Sequence, residues 1–153
     1  MPAAFLPSAS LEVLHRRAEL LGRIRQFFDD LDLLEVETPI LSHDTVVDRH
    51  LDPLAVTLFN DPQQPDKGPK LWLQTSPEFG MKRLLSAGAR AIYQITRAFR
   101  GGEAGALHNP EFTMVEWYRV GDDYEAGMHL LADLAQETLG LGQPERLTYR
   151  EAF

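Results

Sequence analysis

The stretch that decides the fold runs from Ala91 to Arg119 and reads AIYQITRAFR, then GGEAGALHN, then PEFTMVEWYR. Its first and last segments are rich in β-branched and aromatic residues, whereas the glycine-rich middle segment has no hydrophobic periodicity. This pattern predicts two antiparallel strands joined by a long mobile loop. The first strand is expected to end at Arg100, and the second to begin just after Asn109.

Alternation along the second strand puts an aromatic ring, a thioether, a carboxylate and a phenol on one face: Phe112, Met114, Glu116 and Tyr118. A carboxylate and a phenol on one face would be costly in an apolar core without partners. We therefore interpret this face as the floor of a polar site. Arg100, His108 and Asn109 are expected at its rim, where they could grip a phosphate and a heterocycle. An ordinary hairpin with a long surface loop has the same spacing, so spacing alone does not separate the two interpretations.

The composition narrows the class of protein. The 153 residues, 44% hydrophobic and 25% charged, suffice for one domain with its own core. A net charge of -8 does not favour general binding to nucleic acid or to an anionic membrane. The chain has no cysteine, which excludes disulfides and cysteine-ligated zinc and suits a cytoplasmic protein. No apolar run approaches a membrane span, so no membrane association is expected.

Two long helices are predicted outside the hairpin. Ser10 is the expected N-cap of a helix over Leu11–Leu31, whose apolar stripe is typical of core packing and also suits a subunit contact. Asp122 or Asp123 is expected to cap another helix, which ends near Gly140.

Three short strands are predicted before the hairpin, at Leu33–Thr38, Leu54–Phe59 and Leu71–Gln74. Pro39 stops the first of them, and the turn-rich residues 60–69 connect the other two as a hairpin. The intervening segment Leu41–Pro53 carries aspartates and histidines. A metal site is conceivable there, but a solvated acidic loop is favoured because the histidines lack a sharp ligand spacing.

A third helix is predicted from the Ser76-Pro77-Glu78 sequence to about Gly88, with Ser76 as its N-cap and Pro77 in its first turn. A capping sequence of this kind occurs in many helices without any further role. The functional interpretation is that the end of a strand delivers a hydroxyl, a carboxylate and free amides to a pocket. Such a carboxylate would suit an ammonium group of a ligand.

Four segments together resemble the catalytic core of class II lysyl-tRNA synthetases and of their short paralogues, the elongation factor P lysine ligases: LLEVETPIL, LQTSPEFGMKRLL, ITRAFR and HNPEFTMVEWY. The resemblance covers nearly the whole chain from about Leu11. It implies an α+β fold in which an antiparallel sheet is flanked by helices. Residues 1–153 would be the N-terminal portion of that core. Of the three motifs that define the family, the helix and strand that end at Pro39 would be motif 1, and residues 91–119 would be motif 2. Motif 3, a glycine-rich segment with an arginine that opens a helix, is absent from these residues. Motif 1 implies a homodimer.

The resemblance also implies roles for individual residues. Arg100 would be the catalytic arginine that holds both the ATP α-phosphate and the amino-acid carboxylate, and the ring of Phe112 would stack on adenine. The remaining ATP-binding positions would be Gly101, Gly102, Glu103, His108 and Asn109. The amino-acid substrate would contact Ser76, Pro77, Glu78, Glu116 and Tyr118, with Glu78 suited to the α-amino group.

The reaction implied is the activation of lysine or β-lysine with ATP, giving an aminoacyl-adenylate and pyrophosphate. A planar guanidinium such as that of Arg100 can bridge the two anions that must meet. Mg²⁺ would offset the remaining phosphate charge, with ligands outside these 153 residues. In the ligases the acceptor is a lysine of elongation factor P.

Two departures from the family pattern affect this expectation. The motif 2 loop usually reads FR-x-E, and Gly102 stands where the glutamate is expected. Glu103, the next residue, is a candidate replacement, but a one-residue shift changes where its carboxylate points. Without motif 3 these residues alone are expected to be inactive in adenylation.

Two other functions remain open at this stage. The chain could be the catalytic part of a true lysyl-tRNA synthetase, although the first helix begins too near Met1 for an anticodon-binding barrel to precede it, which makes tRNA an unlikely partner. It could also be an inactive truncated paralogue that binds nucleotide or pairs with a partner. Gly102 and the missing motif 3 favour that alternative.

Overall fold

The computed structural model describes residues 6–153. The first five residues of the domain expected over residues 1–153 lie outside the described residues. These residues fold into two compact units, one formed by residues 33–120 and the other by residues up to 32 together with 121–153. In chain order the elements are α1 (Leu11–Asp30), β1 (Leu34–Glu35), β2 (Leu41–Ser42), β3 (Ala55–Thr57), β4 (Lys70–Leu73), α2 (Glu78–Ser86), β5 (Ala91–Phe99), β6 (Glu111–Arg119), α3 (Tyr124–Leu139) and α4 (Tyr149–Ala152).

The helical unit confirms the predicted caps. The Ser10 hydroxyl accepts from the backbone N–H of Val13 at 3.3 Å, and the Asp123 carboxylate accepts from that of Ala126 at 2.9 Å. These side chains satisfy donors that a helix start leaves without partners. Gly140 ends α3 in the left-handed conformation, with φ of 65°, as its position predicts. None of the described helices is both long and apolar enough to span a bilayer.

The apolar stripe of α1 serves the core at one end and is exposed at the other. Phe28 is fully buried, Leu21 and Ile24 are half-buried, and Leu14 is exposed. Core packing therefore accounts for the C-terminal part of the stripe. It does not account for the N-terminal part, where Leu11 is also exposed.

The strand unit contains two three-stranded sheets, one with the order β1-β5-β6 and the other with the order β2-β4-β3. The central hairpin of β5 and β6 is antiparallel and regular over nine residue pairs, as predicted. The expectation of one antiparallel sheet is wrong, because β1 pairs with β5 in parallel. A parallel pair needs a long connection, and the second sheet and α2 together provide it between β1 and β5.

The short strands are shorter than the sequence suggests. The predicted strand Leu33–Thr38 is reduced to two residues, and Leu54–Phe59 to three. The hairpin of β3 and β4 is confirmed, but Leu41 and Ser42 form the strand β2 inside the segment expected to be an acidic loop. Strand propensity does not reveal these limits because pairing depends on neighbours that are distant in sequence.

Helix α2 begins one residue later than expected. Pro77 has ψ near 2°, which is outside the helical range, so it takes the N-cap position that was predicted for Ser76. The hydroxyl of Ser76 still accepts from the backbone N–H of Glu78, at 3.1 Å. This bond leaves the hydroxyl hydrogen of Ser76 free to serve another acceptor.

A buried glutamine ties the end of β4 to the central hairpin. The side-chain amide of Gln74 donates to the hydroxyl of Thr96 at 3.1 Å and to the carbonyl of Arg97 at 2.7 Å. Its backbone carbonyl accepts from the N–H of Phe99 at 2.9 Å. These bonds hold the following segment, which includes Ser76, beside β5.

Candidate active site

The register of the central hairpin defines one face, which we call the site face. Glu116 lies opposite Gln94, Tyr118 opposite Ile92 and Phe112 opposite Ala98. Directly opposed residues of an antiparallel pair point to the same side of the sheet. The site face therefore carries Ile92, Gln94, Thr96 and Ala98 from β5 together with Phe112, Met114, Glu116 and Tyr118 from β6.

Glu116 is held by two hydroxyl groups. Its Oε2 accepts from the hydroxyl of Ser76 at 2.7 Å, and its Oε1 accepts from the phenol of Tyr118 at 2.6 Å. Each oxygen of the carboxylate keeps further lone pairs after these bonds. The predicted carboxylate and phenol thus form one hydrogen-bonded cluster with a serine forty residues away in sequence.

The phenol of Tyr118 remains protonated across the neutral pH range. Burial raises its pKa first, and the hydrogen bond to Glu116 and the negative charge of that residue raise the pKa further. The negative charge of Glu78 adds a smaller effect in the same direction. Tyr118 therefore acts as a hydrogen-bond donor to Glu116.

Glu78 lies in the first turn of α2, and its carboxylate forms an ion pair with Lys82 four residues later. The lysine is 55% exposed, so the pair is open to solvent and weak. The carboxylate of Glu78 is close enough to affect the pKa of Tyr118, as noted above. It belongs to the same neighbourhood but is not directly bonded to the Glu116 cluster.

Arg100 lies at the end of the hairpin, directly after β5. Its guanidinium lies 5.1 Å from the centre of the Phe112 ring, which is a cation–π distance. Its Nε donates to the carbonyl oxygen of Thr75 in a long hydrogen bond of 3.4 Å. The guanidinium therefore reaches the residue next to Ser76. One face of the Phe112 ring is covered by Arg100 in this structure.

The loop between β5 and β6 encloses two concavities. One, of about 490 Å³, is lined by Arg100, Gly102, Glu103, Ala104 and His108. The other, of about 220 Å³, is lined by Arg100, Glu103, Leu107, His108, Asn109 and Phe112. All the residues predicted to bind nucleotide except Gly101 line one or both of them.

Glu103 lines both concavities together with Arg100, whereas Gly102 adopts the left-handed conformation, with φ of 76°. The one-residue shift therefore leaves Glu103 in the lining that Arg100 also forms. Gly101 has a structural role, because its N–H donates to the carbonyl of Asp52 at 2.6 Å. A Cβ at this position would lie 3.2 Å from the same carbonyl oxygen.

Sequence reasoning missed several buried polar residues near the site. Gln94 is 2% exposed on the site face, and the hydroxyl of Thr38 donates to its amide oxygen at 3.0 Å. Thr75 is fully buried, and its hydroxyl has no hydrogen-bond partner among residues 6–153. The available signal was a glutamine within an apolar strand, which is expensive to bury unless it has a partner.

Metal-binding side chains are not clustered in the part of the chain that the structure describes. No group of three His, Asp or Glu side chains converges within residues 6–153. A separate concavity of about 490 Å³ lies in the helical unit between α1 and α3, and none of the predicted site residues lines it.

Comparison with known proteins adds a family to this geometry. A family model described as tRNA synthetases class II (D, K and N) matches residues 5–142. Proteins named elongation factor P–(R)-β-lysine ligase are similar over nearly the whole chain. The one from Vibrio campbellii is 51% identical over 153 residues, which is 100% of this chain and 47% of that protein.

Two further relatives with the same name match this chain with similar identity and coverage. The protein from Vibrio cholerae is 52% identical over 149 residues, 97% of this chain and 45% of that protein. The protein from Yersinia enterocolitica is 49% identical over 151 residues, 99% of this chain and 46% of that protein. The chain thus spans about half the length of the curated relatives it matches. The resemblance predicted from the motifs is confirmed, and the chain belongs to the family of class II tRNA synthetases (D, K and N).

Proposed function

We propose that this chain forms part of an ATP-dependent ligase that activates lysine or β-lysine and transfers it to a lysine of elongation factor P. The observation that carries the proposal is the cluster in which Ser76 and Tyr118 donate to Glu116 on the site face, while Arg100 contacts Phe112 of the same face. It occurs in a chain 51% identical to a protein named elongation factor P–(R)-β-lysine ligase. The same cluster on a chain without such relatives would support only a polar binding site.

The first step joins the amino acid to AMP. A carboxylate oxygen of the amino acid forms a bond to the α-phosphorus of ATP, and the bond from that phosphorus to the bridging oxygen breaks, so pyrophosphate leaves. Two anions must be held together while charge grows at phosphorus. Arg100 is proposed for this role because its planar group can contact both. ATP would enter as its magnesium complex, and no step depends on a metal ligand from this chain.

The second step releases AMP. The neutral amine of the acceptor lysine attacks the carbonyl carbon of the adenylate, an amide bond forms, and the bond from that carbon to the phosphate oxygen breaks. The proton lost from the amine goes to solvent or to the released phosphate. No covalent bond to the protein is needed in either step.

The amino acid is proposed to lie with its carboxylate towards Arg100 and its side chain towards Glu116. Phe112 and Glu116 are four residues apart on β6, which is about 13 Å at roughly 3.3 Å per residue. That separation leaves space for a nucleotide at one end and an amino acid at the other. The carboxylates of Glu116 and Glu78 would then serve the two ammonium groups of a diamino acid.

Adenine is proposed to stack on Phe112, which requires Arg100 to move from the ring face that it covers or adenine to take the opposite face. Glu103 is proposed to replace the glutamate that the family pattern has at Gly102, because it lines both loop concavities. We further propose a homodimer formed through α1 and a cytoplasmic location, which a chain without cysteines suits.

The activation step is tested by ATP–pyrophosphate exchange with the complete protein. Exchange should require lysine or β-lysine, and Arg100→Ala should lower its rate at least 100-fold, the typical effect of removing one group that stabilises transition-state charge. Arg97→Ala is the matched control. Arg97 lies on the opposite face of β5 and forms an exposed pair with Glu111, so its removal should change the rate less than twofold. Exchange that depends on an unrelated amino acid would refute the substrate.

A lysyl-tRNA synthetase is the second candidate, because the family description names tRNA synthetases. Transfer of labelled amino acid to elongation factor P, and not to tRNA, is the expected result. Transfer to tRNA alone would favour the second candidate. Absence of any exchange in the complete protein would favour a non-catalytic paralogue, which Gly102 also suggests. The 153 residues alone are expected to show no exchange.

A further inference from the structure

The buried amide of Gln94 has a free polar atom beside the candidate site. Its oxygen accepts from the hydroxyl of Thr38, whereas its nitrogen makes no hydrogen bond to any of residues 6–153. Gln94 as a whole residue is 2% exposed. A nearly buried amide that leaves one end without a partner costs free energy unless a ligand or water completes it.

The free end is not sealed inside the protein. Within residues 6–153 the fully enclosed side-chain atoms that have no partner are the hydroxyls of Thr45 and Thr75. The amide nitrogen of Gln94 is not among them, so the small exposed part of this residue includes that atom. Gln94 lies directly opposite Glu116 on the site face. Gln94 is therefore the cross-strand neighbour of the carboxylate cluster on the same face.

The neighbouring hydrogen bonds indicate which part of a bound amino acid would lie near Gln94. Arg100 reaches the carbonyl of Thr75, and the next residue, Ser76, donates to Glu116. The guanidinium and the Glu116 carboxylate are thus hydrogen-bonded to two adjacent residues of the chain, whose Cα atoms are about 3.8 Å apart. An amino acid held by its carboxylate at Arg100 would extend its side chain towards Glu116 and Gln94.

We propose that Gln94 is a specificity-determining contact for the side-chain ammonium of the diamino acid, an inference that rests on the proposed function. The ammonium donates to the carboxylate of Glu116 and to the amide oxygen of Gln94. For this the amide turns over, and its nitrogen donates to Thr38. A hydroxyl can donate or accept, so Thr38 supports either orientation of the amide.

A neutral amide suits this position because the charges are already matched. Glu78 and Glu116 provide two carboxylates for the two ammonium groups of the substrate. A third carboxylate directly opposite Glu116 would add repulsion between like charges. An amide adds a directed acceptor without changing the charge of the site.

Thr38 is itself held in place by α2. A Cβ on Gly80 would lie 2.7 Å from the Cβ of Thr38, which shows how closely the helix approaches this residue. The hydroxyl that orients Gln94 is therefore fixed by packing. Thr38 is a positioning residue in this proposal, and Gln94 is the contact.

The test compares the complete wild-type protein with Gln94→Met, which keeps the length of the side chain but removes the amide. Loss of a hydrogen bond to a charged group should raise the dissociation constant for lysine or β-lysine by about 10- to 100-fold. The KM for ATP should change less than twofold. Calorimetry without ATP measures the first quantity, and pyrophosphate exchange measures the second.

Norleucine distinguishes a ligand contact from a merely structural role, because it lacks the side-chain ammonium. Its affinity should be the same for wild type and Gln94→Met. Thr38→Val should raise the dissociation constant for lysine but not for norleucine, and by less than Gln94→Met does. Thr38→Ser keeps the hydroxyl, so its dissociation constant for lysine should equal that of wild type. These variants keep the proposal testable if Gln94→Met does not fold.

The outcomes separate this inference from the function on which it rests. If wild type shows no lysine-dependent exchange, the proposed function fails and the inference fails with it. If wild type is active and Gln94→Met binds lysine as tightly as wild type, only the inference is refuted. An equal loss of affinity of Gln94→Met for lysine, norleucine and ATP would also refute the inference, because it would indicate a general disturbance of the fold.

Discussion

At the residue scale, the candidate site depends on how Glu116 is held. Period-two alternation placed the carboxylate beside the phenol of Tyr118, and the hydrogen bond between them agrees with that prediction. The bond from Ser76 was not predictable, because it joins positions forty residues apart. The roles of these residues in binding stay predictions until a ligand is tested.

The raised pKa of Tyr118 predicts a loss of stability at alkaline pH. An unfolded tyrosine ionises at a pKa of about 10, whereas the folded protein keeps the proton of Tyr118 to higher pH. The stability linked to this proton is therefore fully present below about pH 10 and is lost as the pH rises towards the folded-state pKa. Tyr118→Phe should show a smaller fall in the free energy of unfolding between pH 9 and 11, measured with denaturant.

Tyr124→Phe is the control for that measurement. Tyr124 is 79% exposed at the start of α3, so Tyr124→Phe should leave the fall in the free energy of unfolding between pH 9 and 11 as large as in wild type. If the free energy of unfolding of Tyr118→Phe falls as much as that of wild type between pH 9 and 11, the loss of stability does not come from the proton of Tyr118.

At the element scale, the close approach of α2 to Thr38 fixes the surroundings of Gln94 on the site face. Helix α2 was predicted from its capping sequence and apolar spacing, and its existence is confirmed one residue later than expected. Its close approach to Thr38 at Gly80 was not predicted, because a glycine within a helical pattern does not reveal its neighbours.

Gly80→Ala should destabilise the protein although alanine favours helices. The new Cβ would lie 2.7 Å from the Cβ of Thr38 and 2.9 Å from its Cγ2, so the helix must shift. Overpacking typically costs about 1–3 kcal/mol, which exceeds the gain of about 1 kcal/mol from helix propensity. The free energy of unfolding should therefore fall, by up to about 2 kcal/mol.

Gly127→Ala is the matched change in α3, where a Cβ would meet no atom within 4 Å. This substitution should raise the free energy of unfolding by up to about 1 kcal/mol. Equal effects of the two substitutions would show that contact with Thr38 does not limit position 80.

At the scale of the whole molecule, the exposed apolar residues at the start of α1 bear on assembly. Leu11 and Leu14 are 75% and 46% exposed, and they lie three residues apart on one side of the helix. A second copy of the chain is the proposed partner of this surface, in agreement with the homodimer that motif 1 implies.

Leu14→Asp should convert the proposed dimer of the complete protein to a monomer, because the substitution places a charge in an apolar interface. Light scattering after size-exclusion chromatography measures the mass. Leu141→Asp is the control, since Leu141 is also exposed, at 57%, but lies outside α1. A wild-type monomer, or a dimer that survives Leu14→Asp, would contradict the proposal.

The sequence by itself determined the central hairpin, the helix cap at Ser10, a second cap at Asp122 or Asp123, and the residues that share the face of Glu116. These features depend on local rules: the alternation of a strand, the donors that a helix start leaves free, and the conformational freedom of glycine at a turn.

Only the tertiary structure decided the parallel pairing of β1 with β5, the division into two small sheets, and the contacts of Ser76, Thr38 and Gln94 with their distant partners. Such pairings depend on which surfaces meet after the chain has folded back on itself. A single sequence does not carry that information, because the same local pattern suits many partners.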